Sequence, residues 1–402
     1  MLFPRRSEFR FILALVVALI PAVLYLSIVH PYGKLHWPDT QKFLQREEVF
    51  RKSALLTLKD LQIKSKNKKM YSSSKHTKYC LGILHVPRPH KDYLIQGVTA
   101  LLTRNKYSPD KLKMFIYDVK PESDRNPGDI EALENLIQVV KRESTEEYLP
   151  FDMIAPNYET AHYVDVLRHL SAQQCDYHIV LEDDALPSFN WLDKIDEAIG
   201  KIEKSNFFQL KLLFPRKYDS VFEHKIEWLF VALGCGILTY LLRLLFMKNG
   251  SRYSLIGFSL CCGIFALSYM LIGRQYFVSF SDGVHQYQVG FCLSAVVYPQ
   301  NILLPLSDYM VKWITSHRHT HASFKTDDPD LSWLRPKDKL THQFSDLTGL
   351  QEYIVTPSVF QHIGIHTSLR FKWGENAFQK LIWAYDFPDD DSLIKYDEKV
   401  FQ

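Results

Sequence analysis

The chain has 402 residues and a formal net charge of +3, with 48 Lys and Arg against 45 Asp and Glu. So small an excess gives no argument for a nucleic-acid partner, and the length allows one large core or two of medium size. Cys235, Cys261 and Cys262 lie inside apolar runs, so at most one disulfide can form among Cys80, Cys175 and Cys292, and the count does not fix a redox compartment.

Residues 11–29 form an apolar run behind Arg5, Arg6 and Arg10, long enough to span a bilayer. No small-x-small cleavage site follows it. With the arginines held in the cytoplasm, residues 1–10 are a cytoplasmic tail, 11–29 an uncleaved signal anchor, and everything downstream lumenal. Residues 30–78 read as a stem, because Lys64–Lys69 and Ser72–Ser74 are too polar to bury a core.

From Tyr79 to residue 227 the pattern alternates between strand and helix. Strands are expected at 81–86, 112–117, 177–181 and 207–214, and helices at 93–102, 130–140, 160–170 and 191–202. Such alternation predicts a mostly parallel sheet with helices on both faces. Two further apolar stretches, 228–246 and 255–272, flank a short loop carrying Lys248 and Arg252. They read as an inserted transmembrane hairpin whose basic loop returns to the cytoplasm, which agrees with the first anchor. The α/β character resumes in 273–402, with a strand expected over 288–298, helices over 303–314 and 340–350, and a strand over 353–355.

The chemistry concentrates at Cys175–Pro187. Apolar and β-branched residues run to Leu181, then Glu182, Asp183 and Asp184 follow before Pro187 stops the segment. Acids just beyond a strand's carboxyl end sit where open α/β sheets bind ligands. Three carboxylates this close repel one another, and Mg²⁺ or Mn²⁺ with its accompanying phosphates would relieve that repulsion. Other clusters are weaker: His317, His319 and His321 read as a solvated loop, Asp327, Asp328 and Asp330 as a turn, and Asp389–Asp391 as a tail.

Leu181-Glu182-Asp183-Asp184-Ala185-Leu186-Pro187 resembles the acidic motif of the Golgi GPI-glycan N-acetylgalactosaminyltransferases. Leu210-Lys211-Leu212 with Pro215-Arg216, Glu227-Trp228, Gly273–Phe277, Lys337-Asp338 and Pro357–Gly364 resemble further family segments in order. The resemblance covers roughly 175–370. It implies a GT-A glycosyltransferase domain interrupted by the membrane hairpin, with UDP-N-acetylgalactosamine as donor, Mn²⁺ as metal and the mannose of a GPI-anchored protein as acceptor. It also implies a multi-pass Golgi protein with a lumenal catalytic domain. It carries over Asp184 and His362 as metal ligands and Asp338 as catalytic base, while the motif itself, with Asp184 farthest out, leaves Glu182 and Asp183 to reach ribose or metal-bound water. Pro357–Leu369 is also similar to the closing motif of N-glycan-branching GlcNAc transferases, so that donor and acceptor stay open, as does a non-catalytic cargo receptor on a GT-A shell.

Overall fold

The computed structural model describes residues 40–65, 76–86, 93–105, 111–119, 127–141, 155–213, 282–286, 293–316 and 337–363, with isolated positions elsewhere. The chain divides into two compact units, residues 1–40 with 215–281 and residues 41–214 with 282–402. In the first unit only isolated positions such as Leu24, Tyr25 and Ile237 are described, so the three apolar runs read as membrane spans lie outside the described residues. Among the described residues no helix is long and apolar enough to cross a membrane.

The second unit is a sheet with helices on both faces. In chain order its elements are α1 (Thr40–Ser65), β1 (Thr77–His85), α2 (Tyr93–Thr103), β2 (Leu112–Asp118), α3 (Pro127–Glu134), β3 (Gln138–Lys141), α4 (Ala155–Ser171), β4 (Cys175–Glu182), β5 (Ala185–Pro187), α5 (Trp191–Gly200) and β6 (Phe207–Lys211). After the other unit's residues come β7 (Gly283–Gln286), β8 (Ala295–Pro299), α6 (Gln300–Ser316), α7 (Lys337–Thr348), β9 (Gln351–Thr356) and β10 (Phe360–His362). The eight-stranded sheet has the order β3-β2-β1-β4-β8-β6-β9-β7, and β5 pairs separately with β10. Strands β3, β2, β1 and β4 are parallel, as the alternation predicts. β8 runs antiparallel to both β4 and β6, and β7 antiparallel to β9, so the second half is mixed.

Side chains alternate across the strands and feed two cores. Tyr79, Leu81 and Ile83 of β1 join Ile179 and Leu181 of β4 beneath α1, α2, α3 and α5. Cys80 and Leu84 face the other way with Val180, against Val164, Val166 and Leu167 of α4, Leu303 and Leu306 of α6, and Leu340 and Phe344 of α7. Gly82 lets α4 approach: a Cβ there would lie 3.0 Å from Leu170 Cδ1 and 3.2 Å from Val166 Cγ1. Cys80 and Cys175 are disulfide-bonded, so the pairing left open by the sequence joins β1 to β4.

Several elements differ from expectation for identifiable reasons. The apolar periodicity over 130–140 spans two elements: α3 ends at Glu134, and Gln138–Lys141 pairs in parallel with Phe115–Asp118 of β2. Val139 and Val140 are β-branched and suit that edge. The stretch read as a solvated stem contains the 26-residue helix α1, and Ser53, Ala54, Thr57 and Leu58 on one of its faces are buried. Its opposite face mixes charged Lys52, Lys59 and Asp60 with exposed Val49, Leu56 and Ile63, so no clean apolar stripe marks the buried face in the sequence. Of the strand expected over 288–298, residues 288–292 lie outside the described residues and the described strand is Ala295–Pro299, while α7 begins at Lys337 and so takes in Asp338.

Candidate active site

The site lies where the sheet's topology reverses. β1 leads to β2 and β3 on one side, and β4 returns on the other flank of β1. The carboxyl ends of β1 and β4 therefore border the kind of crevice in which open α/β sheets bind ligands.

Strand parity then distributes the three acids. Leu181 faces the α1–α2–α5 core, so Glu182 turns to the opposite face, where α4 and α7 pack. Its Oε1 accepts a hydrogen bond from Lys337 Nζ at 2.5 Å, and its Oε2 accepts one from Ser294 Oγ at 2.6 Å. Lys337 is buried, also pairs with Glu159 of α4, and has its Nζ 5.7 Å from the centroid of the Tyr163 ring. Burial, and after it the Asp184 charge, would raise the carboxyl of Glu182, but the Lys337 ammonium and His362 together hold it below the usual range. Burial would likewise strip Lys337 of its proton, yet Glu159, Glu182 and Asp338 hold its ammonium well above the ordinary lysine value.

Asp183 reaches back to β1. Its Oδ2 accepts from His85 Nδ1 at 3.1 Å and from the Val86 amide at 3.2 Å, while its own amide donates to Leu84 O at 3.1 Å. The second acid thus ties the turn after β4 to the end of β1. Glu182 and Asp183, the acids expected to meet ribose or metal-bound water, also hold the site's walls through these bonds.

Asp184 is the acid aimed at the C-terminal segment. Immediately after it, Ala185–Pro187 pairs antiparallel with Phe360–His362, with His362 opposite Ala185. The Ile363 amide donates to Asp184 O at 2.9 Å, which fixes the two segments together. His362 Nε2 consequently lies 3.2 Å from Asp184 Oδ2. Single ligand atoms of Glu182, Asp184 and His362 lie within 4.8 Å of one another. A solvated acidic turn would leave these side chains in water; instead Asp184 is 1% exposed and His362 7%. Carboxylate oxygens with an imidazole nitrogen suit a first-row divalent cation, so the residues fit a metal such as Mn²⁺.

Gly97 of α2 lies under the turn. A Cβ added there would stand 3.3 Å from Asp183 O and 3.4 Å from Ala185 O, closer than ordinary packing. The glycine lets a helix support the acids through their backbone.

Asp338 sits in the first turn of α7, next to Lys337, and its Oδ1 is shut off from solvent. Burial pushes its carboxyl up to about 6, with Glu159 and Glu182 adding to the rise and Lys337 and Lys211 opposing it. A carboxyl raised toward neutrality suits a general base.

The structure therefore brings Asp184 and His362 together and sets Asp338 next to the lysine that grips Glu182. Sequence reading gave no role to Lys337, Glu159, Ser294 or His85. One signal for Lys337 was present: a basic residue in a helix's first turn opposes the helix dipole and so calls for acidic neighbours. The His317–His321 and Asp327–Asp330 clusters lie outside the described residues.

A family model described as GPI-N-acetylgalactosamine transferase PGAP4 matches residues 79–361, which include every residue of the site except His362. Among solved structures, a mannosyltransferase from Pyrobaculum calidifontis in complex with GDP-Man and Mn²⁺ is 14% identical, with a TM-score of 0.25. The likeness covers 44% of this chain and 48% of that one, about half its length. Mouse xyloside xylosyltransferase 1 in its apo form is 11% identical with a TM-score of 0.33, over 70% of this chain and 85% of that one.

Proposed function

The chain belongs to the GPI-N-acetylgalactosamine transferase family, and from that membership we propose that it transfers N-acetylgalactosamine from UDP-N-acetylgalactosamine to a mannose of the GPI-anchor glycan in a metal-dependent reaction. The observation that carries the proposal is the buried Asp184–His362 pair, 3.2 Å apart at the topological switch point. Sugar transfer from a nucleotide diphosphate needs charge neutralised at the leaving group and a proton removed from the acceptor hydroxyl.

Asp184 and His362 would hold the cation, which when bound supplies electrostatic stabilisation to the departing diphosphate. Glu182 keeps a negative charge beside that pair while its own oxygens stay hydrogen-bonded to Lys337 and Ser294. Asp183, bonded to His85 and the Val86 amide, fixes the turn that presents Asp184. An Oδ of Asp338 takes the acceptor proton, a role suited to a carboxyl at about 6.

The setting is part of the same proposal. Apolar runs at 11–29, 228–246 and 255–272 support a Golgi membrane protein with its catalytic unit in the lumen. The Cys80–Cys175 disulfide supports an oxidising compartment. Anchoring near the bilayer would raise the effective concentration of a lipid-linked acceptor without new contacts.

The test is a screen of UDP-sugars with purified protein and a GPI-glycan acceptor, with and without Mn²⁺. The proposal expects transfer from UDP-N-acetylgalactosamine in the presence of metal. Preference for UDP-N-acetylglucosamine with an N-glycan acceptor would favour a branching transferase. No turnover of any UDP-sugar would favour a cargo receptor.

A further inference from the structure

Four ionisable side chains from three elements meet behind the acidic turn. Lys337 opens α7 with only 3% of its surface exposed. Its Nζ is 2.5 Å from Glu182 Oε1 at the end of β4 and is paired with Glu159 of α4, and the next residue is Asp338. A lysine buried in this way is costly unless its charge is fully compensated, and in the proposed reaction Lys337 neither holds the cation nor takes the acceptor proton.

We infer that Lys337 is a positioning residue, the tie that registers the helix carrying the catalytic base against the strand that leads into Asp184. The inference rests on the proposed function and deepens it. Its geometry is specific. β4 carries Glu182 two residues before Asp184, and α7 carries Lys337 one residue before Asp338. A single Lys337–Glu182 contact therefore fixes the base relative to the cation pair, although the two lie on separate elements. Glu159 holds Nζ from the α4 side, and Ser294 holds the second oxygen of Glu182, so neither partner is free to swing. Loss of the tie should leave Asp184 and His362 in place, since they are joined by the β5–β10 pairing rather than by α7.

The role can be separated from plain structural support by comparing Lys337→Met with Lys337→Arg in the full-length protein. A misplacement of about 1 Å costs on the order of 10²-fold in rate, so Lys337→Met should lose about that much kcat. Its dissociation constant for Mn²⁺ with UDP, measured by calorimetry, should stay within severalfold of wild type. Asp338 faces Lys337 from its own helix, Glu159 from α4, Glu182 from β4 and Lys211 from β6. Removing the nearest cation among these should move the acid limb of kcat to higher pH. Lys337→Arg, which keeps the charge, should recover most of the rate and leave the limb in place. Glu159→Gln, whose side chain is 28% exposed and so tolerant of change, loosens the same tie and should give an intermediate loss if the methionine variant fails to fold. A joint collapse of kcat and Mn²⁺–UDP affinity in Lys337→Met would overturn the inference. So would a loss of rate with no shift in the acid limb.

A wild-type protein without transfer activity would remove the proposed function itself. The tie is then tested by ¹³C NMR titration of the Asp338 carboxyl. An upward shift in Lys337→Met supports it, and an unchanged titration refutes it.

Discussion

His362 Nε2 stands 3.2 Å from Asp184 Oδ2, and the contact depends on a two-stranded pairing only three residues long. Through that pairing the strand ending near residue 363 closes over the turn of the acidic strand. The main sheet alone would leave Asp184 beyond the carboxyl end of β4 without a partner segment; the small pairing turns it into one half of a buried donor set.

The metal pair makes the first expectation. A cation at about 100 times its dissociation constant stabilises a protein by roughly 2.7 kcal/mol. Wild-type protein should gain thermal stability from Mn²⁺ with UDP, and Asp184→Ala and His362→Ala should each lose that gain. Each variant should keep its metal-free melting temperature within a few degrees. A wild-type response in either variant would show that the pair does not bind the ion.

Asp338, with its buried carboxyl, makes stability depend on pH. Its carboxyl moves from 3.8 to about 6 on folding, so the folded state binds the proton more tightly than the unfolded one. The stability this provides is fully present below 3.8 and is lost as pH rises through about 6. At 1.36 kcal/mol per unit the loss is on the order of 3 kcal/mol. Asp338→Asn carries no such cost at neutral pH, so its melting temperature at pH 7.5 should match or exceed wild type. Its rate should fall by about 10²–10⁴ if the carboxylate is the base. Equal turnover in wild type and Asp338→Asn at saturating donor and acceptor would remove Asp338 from the reaction.

The disulfide closes a segment with a sequence separation of 95 residues. In the chain-entropy account a loop of that order is worth roughly 4–5 kcal/mol, and loss of a native disulfide commonly costs about 2–5 kcal/mol. Replacing Cys80 and Cys175 together with serine should lower the denaturation midpoint accordingly. Peptide mapping under non-reducing conditions should recover the two cysteines in one linked fragment; free thiols at both would contradict the pairing.

Gly97 links a helix to the acidic turn. Its missing Cβ would press on Asp183 O and Ala185 O at 3.3 and 3.4 Å, and backbone carbonyls cannot rotate away. Gly97→Val should shift the turn and weaken Mn²⁺–UDP binding at least tenfold, although valine suits a helix interior better than glycine does. Unchanged affinity in Gly97→Val would mean that the close approach is not needed.

How much of this was legible beforehand depended on how local each signal was. The run from Tyr177 to Leu181 followed by three acids identified a strand ending in a site, because strand propensity and charge change at one point in the sequence. His362 and Asp338 were reachable only through the likeness of Lys337-Asp338 and Pro357–Gly364 to family motifs, since nothing in their own surroundings announces a ligand or a base. The lysine cluster was not legible because Glu159, Glu182 and Lys337 come from three separated segments. Their contact exists only once α4 and α7 pack on the same face of β4. Glu182 and Asp183 read alike as acids of one motif, and strand parity is what sent one to Lys337 and the other to His85. The helix expected over 130–140 failed for a related reason: a periodic apolar face continued without a break into a strand that the pairing with β2 had claimed.

The most direct test of the central claim is transfer itself. Purified full-length protein is incubated with UDP-N-acetylgalactosamine, Mn²⁺ and a GPI-glycan acceptor, and the acceptor is followed by mass spectrometry alongside Asp184→Ala. The account predicts a gain of one N-acetylhexosamine on a mannose for wild type, abolished by chelation and absent in the variant. An acceptor left unmodified by wild type, or modified equally by Asp184→Ala, would contradict it.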